Sequence, residues 1–240
     1  MSLKVTGVRV SFGGNTVLAG VGLDAIGGQV TALIGPNGAG KTTLFNVITG
    51  VVEPRAGTVE LDGKNLSGLS VHRRARAGLG RTFQRLELFG TLTVAENLWV
   101  AASGLARRDR STAVEAAIAR LGLGPVAEVR SGSLPTGTGR LVELGRALVT
   151  GPAVLLLDEP ASGQNTEETE AFSALLGRLA SDGLTILLVE HDMDLVMQTA
   201  DRIHVLDFGQ IIASGRPEEV RADPAVQAAY LGDPISAADL

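Results

Sequence analysis

Positions 35–42 read Gly-Pro-Asn-Gly-Ala-Gly-Lys-Thr, the spacing G-x-x-x-x-G-K-[ST], with Thr43 directly after. That spacing suits the holding of a chain of phosphates. The glycines allow backbone N–H groups to turn inward around phosphate oxygens. A helix that starts within the motif adds the partial positive charge of its N-terminus. Lys41 can reach the β- and γ-phosphates of a nucleoside triphosphate, and the Thr42 hydroxyl can ligate Mg²⁺. The candidate cradle is Gly35, Pro36, Asn37, Gly38, Ala39, Gly40, Lys41, Thr42 and Thr43. The chain has 31 glycines but only three lysines, so the lysine is the informative member of the pattern.

A second group of residues suits the other half of such a site. Leu155-Leu156-Leu157 runs into Asp158, Glu159 and Pro160. An acid at the carboxyl end of a buried strand, here Asp158, is placed to hold Mg²⁺ through water. The side chain of Glu159, one residue on, points another way, and it is the natural group to orient or deprotonate an attacking water. His191 follows another apolar run and can touch the γ-phosphate and that water at the same edge of the sheet. His72, in an arginine-rich helix, and His204, in a hairpin, read as structural.

These groups need elements to position them. Val30 to Ile34 is the strand before the phosphate loop, and 43–49 is the helix after it. Residues 154–157 and 185–189 are continuous apolar runs, as expected of parallel strands covered on both faces. Between them, 167–180 carries Phe172, Leu175, Leu176 and Leu179 at helical spacing, which makes a βαβ unit. Residues 3–34, with a Gly13 to Asn15 turn, and the short strand 57–62 read as an antiparallel layer beside that core. Residues 86–150 read as an inserted helical subdomain, with helices at 94–102, 112–123 and 140–149. A hairpin at 202–213 and a helical segment from Pro217 complete the chain. The expected organisation is a single domain, 1–240, with an α/β core and β subdomain in 1–85 and 151–240 and the helical subdomain in 86–150.

Composition excludes several classes of function. Of 240 residues, 45% are apolar and 20% charged, which suits a folded globular chain. There is no cysteine, so disulfides, thiolate metal sites and a cysteine nucleophile are ruled out. The net charge of −5 makes nucleic acid an unsuitable main partner. No apolar run is long enough to span a bilayer, and the N-terminus has no secretory pattern, so the expected location is cytoplasmic.

With GPNGAGKTT, RTFQ at 81–84, LLLDEP, and Glu190-His191-Asp192 in hand, the chain resembles the ABC transporter ATPases over nearly its whole length. The resemblance implies a P-loop α/β core, an antiparallel β subdomain and a helical subdomain. It implies ATP and Mg²⁺ as ligands, and it gives roles to further residues. Gln84 would contact Mg²⁺ and sense membrane subunits, Phe12 would stack on adenine, and 162–165 would cross a dimer interface. A narrower resemblance is to the ATPases of branched-chain amino-acid importers, through 80–89, 92–98, 215–220 and Tyr230-Leu231-Gly232; urea, amide and aromatic-acid importers share these features. The implied partners are a second ATPase subunit in a homo- or heterodimer, two transmembrane permease subunits and an extracytoplasmic solute-binding protein. The implied location is the cytoplasmic face of the plasma membrane.

The resemblance breaks at one place. The family signature reads Leu-Ser-Gly-Gly-Gln, or Leu-Ser-Tyr-Gly-Gln in this branch, and the aligned residues here are Leu134-Pro135-Thr136-Gly137-Thr138. Gly137 survives as a nucleotide-contacting residue, but the serine hydroxyl and glutamine amide are gone. Gln164 stands where the branch usually has leucine. Two alternatives therefore stay beside a transport ATPase: a catalytically weak cassette that binds ATP to hold a dimer, and a non-transport ABC ATPase. The intact core beside an altered signature favours a heterodimer, and Leu86, Leu88 and Phe89 make 85–89 a candidate docking segment for a membrane subunit.

Overall fold

The chain begins with two long strands, β1 (Leu3–Phe12) and β2 (Asn15–Ala25), paired antiparallel. Leu3 and Val5, then Val8 and Val10, are buried between exposed neighbours, the period-two pattern of a sheet with one wet face, interrupted by a register shift at Thr6 and Gly7. β3 (Val30–Ile34) is different: all five residues are buried. The phosphate loop leads from it into α1 (Lys41–Thr49), which ends on Gly50 in the left-handed conformation. Then come β4 (Ala56–Leu61), β5 (Lys64–Asn65), α2 (Val71–Arg76) and β6 (Leu79–Arg81). The helical stretch holds α3 (Val94–Ala101), α4 (Arg110–Arg120) and α5 (Thr136–Leu148). The remainder is β7 (Val154–Asp158), α6 (Thr166–Ser181), β8 (Thr185–Val189), α7 (Met193–Thr199), β9 (Arg202–Asp207), β10 (Gln210–Gly215), α8 (Pro217–Ala222) and α9 (Pro224–Leu231). This computed structural model describes residues 1–82, 84 and 86–231. Phe83 and Arg85, which fall in the RTFQ motif and the docking segment, and Gly232 lie outside the described residues.

Among the described residues the strands form two sheets. One has the order β2-β1-β4-β5 and is antiparallel. The other has the order β10-β9-β3-β8-β7-β6 and is parallel except for β10. The expectation that 3–34 forms one antiparallel layer is therefore corrected at its end. β3 leaves that layer and sits between β8 and β9, because a strand buried on both faces needs neighbours and cover on both sides.

Three apolar clusters fix the layers. One joins the antiparallel sheet and α1 to one face of the parallel sheet, through Val10, Leu18, Phe45, Leu156 and Leu187. A second packs α3 to α6 on the opposite face, with Leu98, Val142, Leu155, Phe172 and Leu188. A third covers β3 and β9 with α7, α8 and α9. Complete burial of one such leucine or phenylalanine contributes about 1.5–3 kcal/mol before entropy is counted.

Helix starts follow their caps. Thr93 and Glu96 form a capping box at α3, as do Asn165 and Glu168 at α6. The helix expected at 140–149 starts earlier, at Thr136, with Pro135 as its N-cap and no side chain capping it. Proline before a first turn is compatible with helix entry. Hence the altered signature residues Thr136, Gly137 and Thr138 are the first turn of α5.

Candidate active site at the phosphate loop

The phosphate loop lies at the carboxyl end of β3, in the middle of the parallel sheet. Gly40 is the N-cap of α1, with φ 110, and no side chain caps the helix, so its first N–H groups face the loop. Gly35 leaves no room for a side chain: a Cβ there would stand 1.9 Å from the carbonyl oxygen of Leu206 on β9. The turn between β9 and β10 braces the loop from outside. Gly209 donates its N–H to the Ala39 carbonyl at 3.0 Å and accepts from the Ala19 N–H at 2.8 Å. Asn37, Gly38 and Thr42 are exposed, Pro36 and Thr43 are half-buried, and Ala39 is buried.

Lys41 folds back over the loop. Its ammonium donates to the Gly35 carbonyl and, at 3.0 Å, to that of Pro36. Burial pushes its pKa below the usual lysine range, and the carboxylates of Glu159 and Asp158 oppose that shift. The ammonium thus already feels the two acids predicted from the sequence.

Asp158 ends β7 and is 4% exposed. Burial raises its pKa, opposed first by Arg81, whose guanidinium pairs with it at 3.2 Å. Arg81 also donates to the Asn46 side chain at 2.8 Å, tying β6 and α1 to the acid. Composition and spacing gave no role to Arg81, Asn46 or the Arg81–Asp158 pair. The RTFQ motif was the only sequence signal for Arg81.

The three predicted catalytic side chains meet. Glu159 has φ 47, a left-handed conformation that costs a non-glycine residue on the order of 1–3 kcal/mol. Its N–H is held by the Val189 carbonyl at 2.9 Å. In this conformation its carboxylate accepts a hydrogen bond from the Gln84 amide at 2.8 Å and lies 3.8 Å from His191 Nδ1. Glu190, 1% exposed, accepts the N–H groups of Ala161 (3.0 Å) and His191 (3.1 Å) and so fixes the loop after Glu159. Burial raises the Glu190 pKa, and these backbone donors oppose the shift. The Gln84 carbonyl is held by the Arg140 guanidinium of α5 at 2.9 Å, and Arg140 pairs with Glu143 at 3.0 Å. This link from α5 to Gln84 has no sequence signature.

Phe12 and Gly137 lie in other parts of the molecule. Phe12 is 55% exposed at the tip of the β1–β2 hairpin, and β2 runs beside Gly40 at Val17 and Leu18. Gly137 borders a cavity of about 490 Å³ between α4, α5 and α6, together with Thr138, Gln164 and Glu168. A Cβ on Gly137 would meet the Glu168 carboxylate at 2.4 Å.

A phosphate-binding loop between strand and helix, beside an acid pair at the end of β7, two strands along the same parallel sheet with β8 between, defines a P-loop ATPase. The ABC transporter family profile matches residues 18–162, and the profile of the branched-chain amino acid ATP-binding cassette transporter matches residues 210–235. The chain therefore belongs to the ABC transporter family, as one of its ATP-binding proteins, and groups with those of branched-chain amino-acid transport. It is 42% identical to the high-affinity branched-chain amino acid transport ATP-binding protein BraF of Pseudomonas aeruginosa, over 96% of this chain and 98% of that protein. It is 43% identical to LivG of Salmonella typhimurium over the same shares. A crystal structure of the ADP conformation of an ATP-binding cassette of an ABC transporter superposes with a TM-score of 0.88 at 32% identity, covering 97% of this chain and 100% of that one. No helix among the described residues is long and apolar enough to cross a membrane.

Proposed function

We propose that this chain binds ATP with Mg²⁺ at the 35–43 loop and hydrolyses it to drive import of branched-chain amino acids, or related amides or urea, through separate membrane subunits. The observation that carries this reading is the convergence of Gln84 and His191 on Glu159, beside a lysine that lies in the field of both acids. Glu159 takes or orients the proton of the attacking water, Gln84 holds its carboxylate, and His191 stands at the γ-phosphate side. Lys41 leaves the Gly35 and Pro36 carbonyls for the β- and γ-phosphates. Phe12 supplies a face for adenine. Gly137 and the N-terminus of α5 serve the nucleotide of a second ATPase subunit.

The residues fit Mg²⁺. A buried carboxylate, Asp158, whose charge is disfavoured by burial, gains from a nearby cation, and Thr42 and Gln84 add hard oxygen donors. When bound, the ion neutralises charge that develops on the phosphates. The division into an α/β core with β subdomain (1–85, 151–240) and a helical subdomain (86–150) is part of this reading. So are a heterodimer, two permease subunits at the cytoplasmic face of the plasma membrane and an extracytoplasmic binding protein. The reading is supported by the names of the BraF and LivG relatives.

The test is reconstitution with the permease subunits in vesicles. ATP-dependent uptake of leucine or isoleucine is expected with the unmodified chain and not with Lys41→Ala. Uptake that persists in Lys41→Ala, or ATP turnover that no candidate solute increases, contradicts it.

A further inference from the structure

Lys41 and Arg81 both bring positive charge to the acids of the site, and they are held in different ways. The Lys41 ammonium rests on backbone carbonyls of its own loop, those of Gly35 and Pro36. Arg81 is tied between two elements. One guanidinium nitrogen pairs with the Asp158 carboxylate at 3.2 Å. Another donates to the Asn46 side chain at 2.8 Å and to the Thr49 hydroxyl at 3.4 Å. The group also lies 5.9 Å from the centre of the Phe45 ring. Phe45, Asn46 and Thr49 belong to α1, the helix that begins in the phosphate loop, and Arg81 ends β6, the strand paired with β7. The side chains of Arg81 and Asp158 are only 14% and 6% exposed, so the pair is shielded from water and the guanidinium has little room to swing aside. A carboxylate buried this deeply needs a counter-charge. Arg81 supplies it at the same carboxylate that is read as the holder of Mg²⁺.

We propose that Arg81 is a resident counter-ion that keeps Asp158 from binding a divalent cation by itself, so that metal enters this site only together with nucleotide. The proposal rests on the reading of Asp158 as a Mg²⁺ residue. A divalent ion brought to Asp158 is repelled by a guanidinium that its bonds to α1 hold in place. One carboxylate already paired with a cation does not outweigh that repulsion; a triphosphate adds the negative charge and the oxygens that do. The charge of Arg81 therefore acts on metal binding, while its fork of donors acts on the placing of α1 against β7.

The probe is Mn²⁺ without nucleotide, its binding to the full chain read by electron paramagnetic resonance. Arg81→Met removes the charge and keeps an apolar stem. It is expected to bind Mn²⁺ about tenfold or more tightly than the unmodified chain. Mn²⁺ alone is expected to raise its melting temperature and to leave that of the unmodified chain where it is. Arg81→Gln, neutral but still a hydrogen-bond donor, is expected to show the same gain and carries the test if the methionine variant does not fold. Arg81→Lys keeps the charge and is expected to bind Mn²⁺ as weakly as the unmodified chain. Adding Asp158→Asn to either neutral variant should remove the gain. A lower melting temperature with no gain in Mn²⁺ affinity makes Arg81 a structural tie and overturns the proposal. An equal gain in Arg81→Lys overturns it too, since charge is then not what excludes the metal. Asp158→Asn separates this from the underlying reading. If ATP binding keeps its full dependence on Mg²⁺ in that variant, Asp158 is not a metal residue and both fail. If the dependence is lost and the neutral Arg81 variants still gain nothing, this proposal alone fails.

Discussion

The side-chain amide of Gln84 donates to the carboxylate of Glu159 at 2.8 Å, across 75 positions of sequence. The backbone carbonyl of the same glutamine is held at 2.9 Å by Arg140 in α5. Glu159 is thus oriented from the segment that joins the parallel sheet to the helical region. Thr82 anchors the start of that segment, with its N–H on the Leu156 carbonyl at 3.0 Å. Gln84→Ala leaves the ATP cradle intact and frees the acid. The expected result is a fall in kcat of about 10- to 100-fold, the worth of a hydrogen bond to a charged group, with KM for ATP changed less than about threefold. Steady-state kinetics on the purified chain at saturating Mg²⁺ check it; a change confined to KM would leave Gln84 its proposed Mg²⁺ contact and no role in orienting Glu159.

The signature position makes a prediction of opposite sign. Pro135 caps α5 with neither a hydroxyl nor an N–H, and Thr136 is exposed in the first turn. Pro135→Ser restores both groups. In the homodimer, ATP turnover is expected to rise by up to about 100-fold, since a donor aimed at developing charge is worth ~100- to 1,000-fold. The new N-cap should also stabilise the fold by about 1 kcal/mol, so turnover is compared at a temperature where both proteins are fully folded. If the unmodified homodimer is already fast and Pro135→Ser changes nothing, Thr136 or Thr138 supplies the hydroxyl and the proposed asymmetry is wrong.

Much of the sheet was legible because its strands are buried on both faces. The runs 154–157 and 185–189 became β7 and β8, and the phosphate loop announced both β3 and α1. β6 was not legible: three residues with a central glycine carry no pattern, and β7 recruits them by backbone pairing. The start of α5 was missed because Thr-Gly-Thr-Gly has poor helix propensity and is held by its surroundings. The grouping around Glu159 was legible only as separate residues. Gln84 and Glu159 are joined by strand order in a sheet, which local spacing does not encode.

The docking segment divides into two kinds of residue. Phe89 is 46% exposed, with the Arg146 guanidinium 5.0 Å from its ring centre, whereas Leu88 packs against the core cluster of α3 to α6. Phe89→Asp is expected to keep ATP affinity and melting temperature near those of the unmodified chain while weakening association with the membrane subunits. Leu88→Asp is expected to destabilise the fold by about 2 kcal/mol or more. Co-purification and thermal melts on the two variants separate the roles, and normal assembly by Phe89→Asp would remove Phe89 from the docking surface.

A pH effect follows from His204 of β9. Nδ1 lies 2.7 Å from Ser214 Oγ, and Nε2 lies 3.3 Å from the Asp24 carbonyl of β2. Burial lowers its pKa, the Asp24 carbonyl opposes this, and Arg202 adds to it. With the folded pKa below the unfolded value of about 6.5, the unfolded chain binds the proton more readily. Stability from this group is full above about pH 6.5 and is lost as pH falls below it. His204→Gln is expected to melt with a shallower decline between about pH 7 and about pH 5. Parallel curves for the two proteins would show that His204 does not contribute.

The most direct test of the central claim is Glu159→Gln. The amide is nearly isosteric, can keep a contact with Gln84, and cannot act as a base. Nucleotide binding and hydrolysis are measured separately on the same preparation. The account predicts ATP affinity within about threefold of the unmodified chain and turnover lowered by at least about 100-fold. Turnover that survives within a few-fold, with ATP still bound at the loop, would show that another group handles the water and would contradict the assignment of Glu159.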